Sequence, residues 1–305
     1  MKPDVSVIMV SYNTRELTLA ALETLVANAG KVTLQVIVID NASTDGSADA
    51  IAAKFPRVRL IRSESNLGFA EGNNIAARDA SADHILLLNP DTETRDAAVE
   101  RLLNFARQHP GAGITGGRTV YPDGSLNRAS CLSKMTLWSL FCAAVGLTRL
   151  FPHSTLFNPE DMPEWDRDSV REVDVVVGCF LLLPRRLWFE LGGFNPRYFM
   201  YGEDSDLCLR AAKLGYTPMI TPDAEIMHLI GASSPTRADK LVKVLRGKAT
   251  LIRDHWRGVP KVLGLALLWL WGATRRTAAL VDPVPKRREL WRSVWSARTV
   301  WLAGY

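Results

Sequence analysis

The apolar positions of the first ninety residues fall into short bursts separated by stretches of helical spacing. Val5 to Val10 is a Val/Ile-rich run ended by Ser11-Tyr12-Asn13, the pattern of a strand buried on both faces. Leu19, Leu22, Leu25 and Val26 then recur at helical intervals. A second strand over Gln35 to Ile39 closes on the polar run Asp40 to Ser47. That run supplies turn residues and an N-cap for a helix reaching Phe55 and stopped by Pro56. Val58, Leu60 and Ile61 predict a third strand, and Asn66 to Asn74 a Gly/Asn loop opening a helix. Ile85 to Leu88 predicts a fourth, central strand, broken by Asn89-Pro90-Asp91 because proline cannot donate to a ladder and Asn and Asp favour turns. Strands and helices alternating at this spacing predict an α/β fold with a mostly parallel central sheet flanked by helices. The break delivers Asp91 to the carboxyl end of a central strand, where open α/β sheets place their ligands.

Beyond Asp91 the pattern loosens. Val99, Leu102, Leu103 and Ala106 line one face of a helix that His109-Pro110-Gly111 ends, and Pro122-Asp123-Gly124-Ser125 is a hairpin turn. Residues 126–170 are the least regular, with a helical stretch from Leu137 to Leu150 and a loop around Trp165-Asp166-Arg167-Asp168. Val173 to Leu183 reads as a strand interrupted by Gly178. A helix begins within Tyr201-Gly202-Glu203-Asp204 and ends at Lys213-Leu214-Gly215, and a last strand reaches Met227-His228. The expected division is a domain over 1–235, with halves 1–120 and 121–235, followed by a helical tail over 236–305.

Charge sharpens that division. The formal net charge of +5 conceals a tail, residues 240–305, with 14 Lys and Arg against Asp254, Asp282 and Glu289, on a body that is net acidic. A basic tail on an acidic body points to a polyanionic surface, membrane or nucleic acid. The absence of any recognisable nucleic-acid module favours membrane. Six of the nine tryptophans lie in the tail: Trp256, Trp269, Trp271, Trp291, Trp295 and Trp301. The uncharged run from Val262 to Thr274 is 13 residues. As helix it would be about 20 Å long, against roughly 30 Å of hydrocarbon. It is too short to span. Tryptophan interleaved with Arg and Lys predicts amphipathic helices lying in the headgroup region, the other reading being helices packed on protein. Cys131, Cys142, Cys179 and Cys208 show no metal spacing and are expected to be buried free thiols. With no signal peptide before the first strand, the expected location is cytoplasmic, peripheral on the inner face of the plasma membrane.

Seven motifs in order resemble the family 2 glycosyltransferases with the GT-A fold, most closely the bacterial rhamnosyltransferase-like members. They are Val7 to Asn13, Val38 to Ser47, Asn66 to Asn74, Leu88 to Thr92, Gly178-Cys179-Phe180, Gly192-Gly193-Phe194 and Tyr201 to Arg210. The resemblance spans roughly residues 5–233 and leaves out the tail. It implies an inverting enzyme that moves a sugar from a nucleotide diphosphate donor to a hydroxyl acceptor. dTDP-rhamnose is the favoured donor and a UDP-sugar the next, with a lipid-linked or cell-envelope glycan as acceptor.

Tyr12 is implied to stack on the base. Asp40, at the end of a strand, can accept a hydrogen bond from the imide N–H of uracil or thymine, although it also suits a helix cap. Asn66, Gly68 and Asn73 belong to a loop whose N–H groups and amides would lie near the diphosphate, and its glycines equally suit a tight turn. Asp91 resembles the last residue of the family's Asp-x-Asp metal motif, with Asn89 where the strict motif has its first carboxylate. A divalent cation, Mg²⁺ or Mn²⁺, would bridge the phosphates there through oxygen ligands, and His228 is a further candidate ligand. Asp204 is implied to be the general base, with Glu203 as the alternative. Acidic residues at a helix start are also favoured by its dipole. Arg210 fits either a phosphate contact or a pair with those acids. Two other classes stay open: a non-catalytic nucleotide-sugar-binding scaffold at the membrane, and a sugar-phosphate nucleotidyltransferase. The latter would want a Gly-rich basic loop after the first strand, where Ser11-Tyr12-Asn13-Thr14-Arg15 stands. The state of oligomerisation is open.

Overall fold

Strands β1 (Val5–Ser11) and β2 (Leu34–Asp40) pair in parallel from Val5↔Leu34 to Ser11↔Asp40, so their polar ends finish level. The computed structural model describes residues 2–229 and 236–305. Helix α1 (Arg15–Ala27) links β1 to β2, and α2 (Ser47–Lys54) leads to β3 (Arg59–Arg62) on the outer side of β2. Helix α3 (Gly68–Ala77) returns the chain to β4 (His84–Leu88), parallel to β1 on its other side. Next come β5 (Thr92–Thr94), α4 (Ala98–Gln108), β6 (Thr115–Val120) and β7 (Cys131–Leu132). Helices α5 (Leu137–Val145) and α6 (Leu147–Leu150) precede β8 (Arg171–Glu172), β9 (Val175–Val176), β10 (Phe180–Pro184), α7 (Arg185–Glu190), α8 (Glu203–Lys213) and β11 (Met219–His228).

The main sheet runs β3-β2-β1-β4-β10-β6-β11-β5, with β8 added on β11. Six of its nine strands among the described residues point one way, while β10, β5 and β8 run against them, so the mostly parallel α/β sheet is present. Both faces are covered. Val5, Val7, Met9, Leu86 and Leu88 pack with Leu19, Leu22 and Leu25 of α1 and Val99, Leu102 and Leu103 of α4. The opposite row, with Ile8 beside Leu87, is fully buried, and α3 approaches it closely enough that Gly72 faces Val10 and Ile39.

Two expected elements are divided. The strand over Val173 to Leu183 splits at Gly178: β9 pairs with β7 in a small separate sheet, and β10 enters the main one. The helix over Leu137 to Leu150 breaks at Gly146, whose left-handed φ of 92° ends α5. The four cysteines are free and buried, as the spacing predicts.

The chain divides into two compact units. One comprises Met1–Leu132, Asp166–Phe199 and Asp204–Ser233, and the other Ser133–Trp165, Met200–Glu203 and Ser234–Tyr305. The boundary expected at 235 lies outside the described residues. In the second unit the tail forms α9 (Arg237–His255), α10 (Gly258–Ala278), α11 (Pro285–Ser296) and α12 (Arg298–Ala303). Leu140, Leu245, Ala249, Ile252, Leu268, Val294 and Trp301 make its core, with Trp256, Trp271, Trp291 and Trp295 partly buried against it. Most tail tryptophans therefore face protein, and only Trp269 of the six is substantially exposed, at 46%. No helix among the described residues is long and apolar enough to cross a membrane.

A half-buried ion pair anchors the irregular segment. Lys248 Nζ lies 2.7 Å from Glu160 Oε2, and Ser139 Oγ donates to Glu160 Oε1 at 2.6 Å. Burial opposes the Glu160 charge, but Lys248 outweighs it and holds the carboxyl below its ordinary range.

The register yields a paired stability test. Leu87 is wholly buried between Ile8 and Leu181, whereas Leu150 is 71% exposed. Leu87→Ala should cost about 2–5 kcal/mol of unfolding free energy through lost burial and a residual cavity. Leu150→Ala should stay within about 0.5 kcal/mol in the same urea titrations.

Candidate active site

The sheet edge at the carboxyl ends of β1, β2 and β4 collects most of the candidate residues. Tyr12 follows β1 and is 36% exposed, while Asp40 ends β2 and is buried. Asp40 Oδ2 accepts the Ser43 N–H at 3.1 Å, and Oδ1 is buried with no hydrogen-bond donor. One carboxylate oxygen thus orders the loop after β2, and the other stays open to a donor such as an imide N–H. The loops after β1 and β2 are laced together. Asn13 Oδ1 accepts from Thr44 N at 2.8 Å, and Asp45 Oδ2 accepts from Arg15 N at 2.9 Å.

The Asn66–Asn74 loop is organised differently from the expected phosphate cradle. Leu67 N donates to Asn41 Oδ1, Gly68 N to Asn66 Oδ1 and Phe69 N to the Phe199 carbonyl, at 2.9, 2.9 and 2.8 Å. These three N–H groups are satisfied inside the fold. Gly68, at φ 80°, is required by the close approach of Phe199, whose carbonyl oxygen would lie 2.3 Å from a β-carbon there. Asn73 is buried, with Nδ2 donating to Phe69 O at 2.8 Å. Asn74, the last residue of the motif, accepts from Phe194 N and donates to Phe194 O, both at 2.9 Å. Asn66, Gly68 and Asn73 thus all take part in the contacts that shape the loop.

At the end of β4 the chain turns through Asn89-Pro90-Asp91 into β5. The Thr92 hydroxyl donates to Asn89 O at 2.6 Å. Strand β11 runs antiparallel to β5 with His228 opposite Thr92, and Leu229 N donates to Asp91 O at 2.9 Å. His228 Nε2 thereby lies 3.2 Å from Asp91 Oδ1, a charge contact off the line of a hydrogen bond, since that oxygen accepts none. Burial disfavours the His228 imidazolium, but Cys179 and the Asp91 carboxylate outweigh it and push the pKa up to about 10.

Asn89 Oδ1, Asp91 Oδ1 and His228 Nδ1 are buried without hydrogen-bond partners. The two oxygens fit a hard divalent cation that takes one carboxylate from the protein and its remaining ligands from phosphates and water, and His228 could join them only by giving up its proton. Among the described residues no group of three His, Cys, Asp or Glu side chains converges on a common point. A cation here would therefore depend on the nucleotide for much of its coordination.

The dipeptide Gly178-Cys179, just before β10, joins this corner to Asp204. Asn89 N donates to the Cys179 carbonyl at 3.1 Å, and Gly178 N reaches Asp204 Oδ2 at 3.4 Å. Asp204 Oδ1 also accepts from Ser205 N at 2.7 Å. Burial raises the Asp204 pKa against these hydrogen bonds, which makes its carboxylate a better proton acceptor. Glu203 is buried and Asp204 partly exposed, so Asp204 is the more accessible of the two candidate bases. Arg210 is committed elsewhere. It pairs with Asp206 at 2.7 Å and donates to the Leu191 and Gly193 carbonyls at 2.6 and 2.9 Å.

A mostly parallel sheet covered by helices on both faces, with the loops after β1, β2 and β4 gathered at one edge, is the GT-A fold of glycosyltransferases. The chain belongs to glycosyl transferase family 2, whose model matches residues 6–162. It is 32% identical over 207 residues to the N-acetylglucosaminyl-diphospho-decaprenol L-rhamnosyltransferase of Mycobacterium tuberculosis, spanning 64% of this chain and 66% of that relative. It is 28% identical over 174 residues to the rhamnosyltransferase WbbL of Escherichia coli, spanning 53% of this chain and 60% of that one. In fold it is similar to the mannosyltransferase PcManGT of Pyrobaculum calidifontis, solved in complex with GDP-Man and Mn²⁺. The TM-score is 0.58 at 19% identity, over 99% of this chain and 84% of that one.

The raised Asp204 pKa has a signed consequence for stability. Burial penalises the ionised form, so folding stability falls as pH rises from the ordinary carboxylate range through the raised value. Asp204→Asn removes that penalty and should raise the thermal midpoint near neutral pH, with the gain vanishing in acid. Scanning fluorimetry across pH reads it. An unchanged neutral midpoint would show that the Ser205 and Gly178 N–H groups fully offset the charge.

Proposed function

We propose that the chain is an inverting glycosyltransferase that moves a sugar from a nucleotide diphosphate donor to a hydroxyl of a lipid-linked or cell-envelope glycan. dTDP-rhamnose is the first choice of donor and a UDP-sugar the second. The observation that carries this reading is the junction at Gly178-Cys179, which holds Asp204 and the Asn89–Asp91 turn on neighbouring residues. The likeness to two rhamnosyltransferases supports the choice of sugar, and the decaprenyl-linked name of one supports a lipid-linked acceptor. Residues 1–120 would serve the donor and 121–235 the acceptor.

In this reading Tyr12 stacks on the base and Asp40 Oδ1 accepts its imide N–H. Asp204 accepts the proton of the acceptor hydroxyl as its oxygen attacks the anomeric carbon. The bond from that carbon to the diphosphate oxygen breaks on the opposite face, giving inversion. Asp91 and the Asn89 amide oxygen would hold a Mg²⁺ or Mn²⁺ ion, joined by His228 once the arriving cation displaces its proton. Such an ion, when bound, supplies positive charge to the departing diphosphate.

A thermal-shift panel of dTDP-rhamnose and UDP-sugars, with and without Mg²⁺ or Mn²⁺, tests the donor side. Asp91→Ala should abolish the metal-dependent part of the shift, while Asp204→Asn should retain it and lower transfer by at least about 10²-fold. Wild-type turnover in Asp204→Asn would move the base to Glu203. Activity untouched by chelator would remove the metal role from Asp91.

The tail would hold the enzyme peripherally on an anionic membrane. Its excess of Lys and Arg supports this, as do the exposed Val259, Val262, Leu263, Trp269, Leu280 and Val281. Each basic residue at such a surface contributes about 1 kcal/mol, within a Debye length of roughly 8–10 Å. Cosedimentation of the full chain with anionic vesicles should weaken in high salt and persist in part through unscreened apolar burial. Equal partitioning to neutral and anionic vesicles, or none, would leave the tail as a protein-packing bundle.

A further inference from the structure

The turn Met200–Glu203 leads into α8 and belongs to the helical unit. The Tyr305 hydroxyl donates to the Met200 carbonyl at 2.7 Å. Gly247, in α9, faces the Tyr201 carbonyl so closely that a β-carbon would lie 2.1 Å from that oxygen. Tyr305 is itself seated on α9. Its N–H donates to Thr250 Oγ1 at 2.8 Å, and the Arg246 guanidinium lies 4.4 Å above its ring while Arg246 Nε donates to Gly304 O at 2.8 Å. The turn needs such support, because Tyr201 and Gly202 hold φ of 70° and 102°. A non-glycine residue keeps that conformation only where its surroundings impose it.

We infer that Gly247 and Tyr305 are positioning residues for the catalytic base. They fix the Met200–Glu203 turn and thereby set the first turn of α8, the helix that carries Asp204 as its second residue. The inference rests on Asp204 being the base. It gives the tail a role in the chemistry, distinct from any contact with a membrane. Base catalysis tolerates little displacement, since a remote mutation that misplaces a reacting group by about 1 Å can cost about 10²-fold in rate.

Two variants test the clamp in the full-length chain. Tyr305→Phe keeps the ring under Arg246 and removes only the hydroxyl. Gly247→Ala places a β-carbon against the Tyr201 carbonyl. The readouts are release of dTDP from dTDP-rhamnose or UDP from UDP-sugars with Mg²⁺ and water as the acceptor of the sugar, dTDP and UDP affinity by calorimetry, and amide exchange over residues 200–206. Expected are a fall in kcat of about 10-fold for Tyr305→Phe and about 10²-fold for Gly247→Ala, with donor KM and nucleotide affinity within about 2-fold. Amide exchange over 200–206 should quicken in both, and the acid limb of the pH–rate profile should shift. Unchanged kcat, or kcat falling only in step with nucleotide affinity, overturns the inference. Should Gly247→Ala fail to fold, Tyr305→Phe decides alone. Should the wild-type chain release nucleotide from no donor, the glycosyltransferase reading fails, and the exchange rates still judge the clamp. Unchanged exchange over 200–206 in Tyr305→Phe overturns it.

Discussion

The hydrogen bond from Asn89 N to the Cys179 carbonyl is the tie on which the site depends, because it fixes where β10 begins against β4. Phe180 sits opposite Leu88, so the chain entering β10 passes directly over the turn that leaves β4. Gly178, one residue earlier, then has its N–H free for the Asp204 carboxylate. The first of these joins two backbone groups, so side-chain mutation alone cannot remove it, whereas the second depends on the Asp204 side chain. A shift of one residue between these strands would carry every β10 side chain to the other face of the sheet. The register of buried Leu181, Leu182 and Leu183 is therefore also the register of the chemistry.

Around that tie the site sorts into groups that shape and groups left open. Asn41, Asn66, Asn73 and Asn74 direct their amides into the backbone of the Asn66–Asn74 region and its neighbours. Asp40 Oδ1, Asn89 Oδ1 and Asp91 Oδ1 are buried acceptors with no donor. An unmatched buried acceptor is costly unless something arrives to satisfy it. The proposed nucleotide and cation would supply what these three acceptors lack.

The helical unit changes the meaning of the tail. Its tryptophans invite an interfacial reading when only spacing and charge are considered. Trp301 is nonetheless wholly buried, with its indole N–H donating to Val294 O at 2.9 Å. Residues 133–165 gave little periodic signal because their partners lie far along the chain. Thr274 and Arg275 donate to the Ala144 and Ala143 carbonyls, and Lys248 neutralises Glu160. Short helices stabilised by such distant contacts leave no local repeat to read.

The sequence by itself determined the alternation of β1 to β4 with their helices, the polar breaks after each strand, and thus Tyr12, Asp40 and Asp91 at one edge of a sheet. Those features are local: runs of buried aliphatic residues choose strands, and Asn, Asp and Pro end them. Only the tertiary structure decided that β10 runs antiparallel between β4 and β6, and that β11 brings His228 to Asp91. It also decided that Arg210 serves Asp206 and two carbonyls rather than a phosphate, and that Tyr305 supports the turn before Asp204. Apart from the i,i+4 pair of Arg210 with Asp206, these pairings join residues from about 20 to more than 130 positions apart in the chain. They are selected by which surfaces bury well together, a property of the assembled fold that no short stretch of sequence contains.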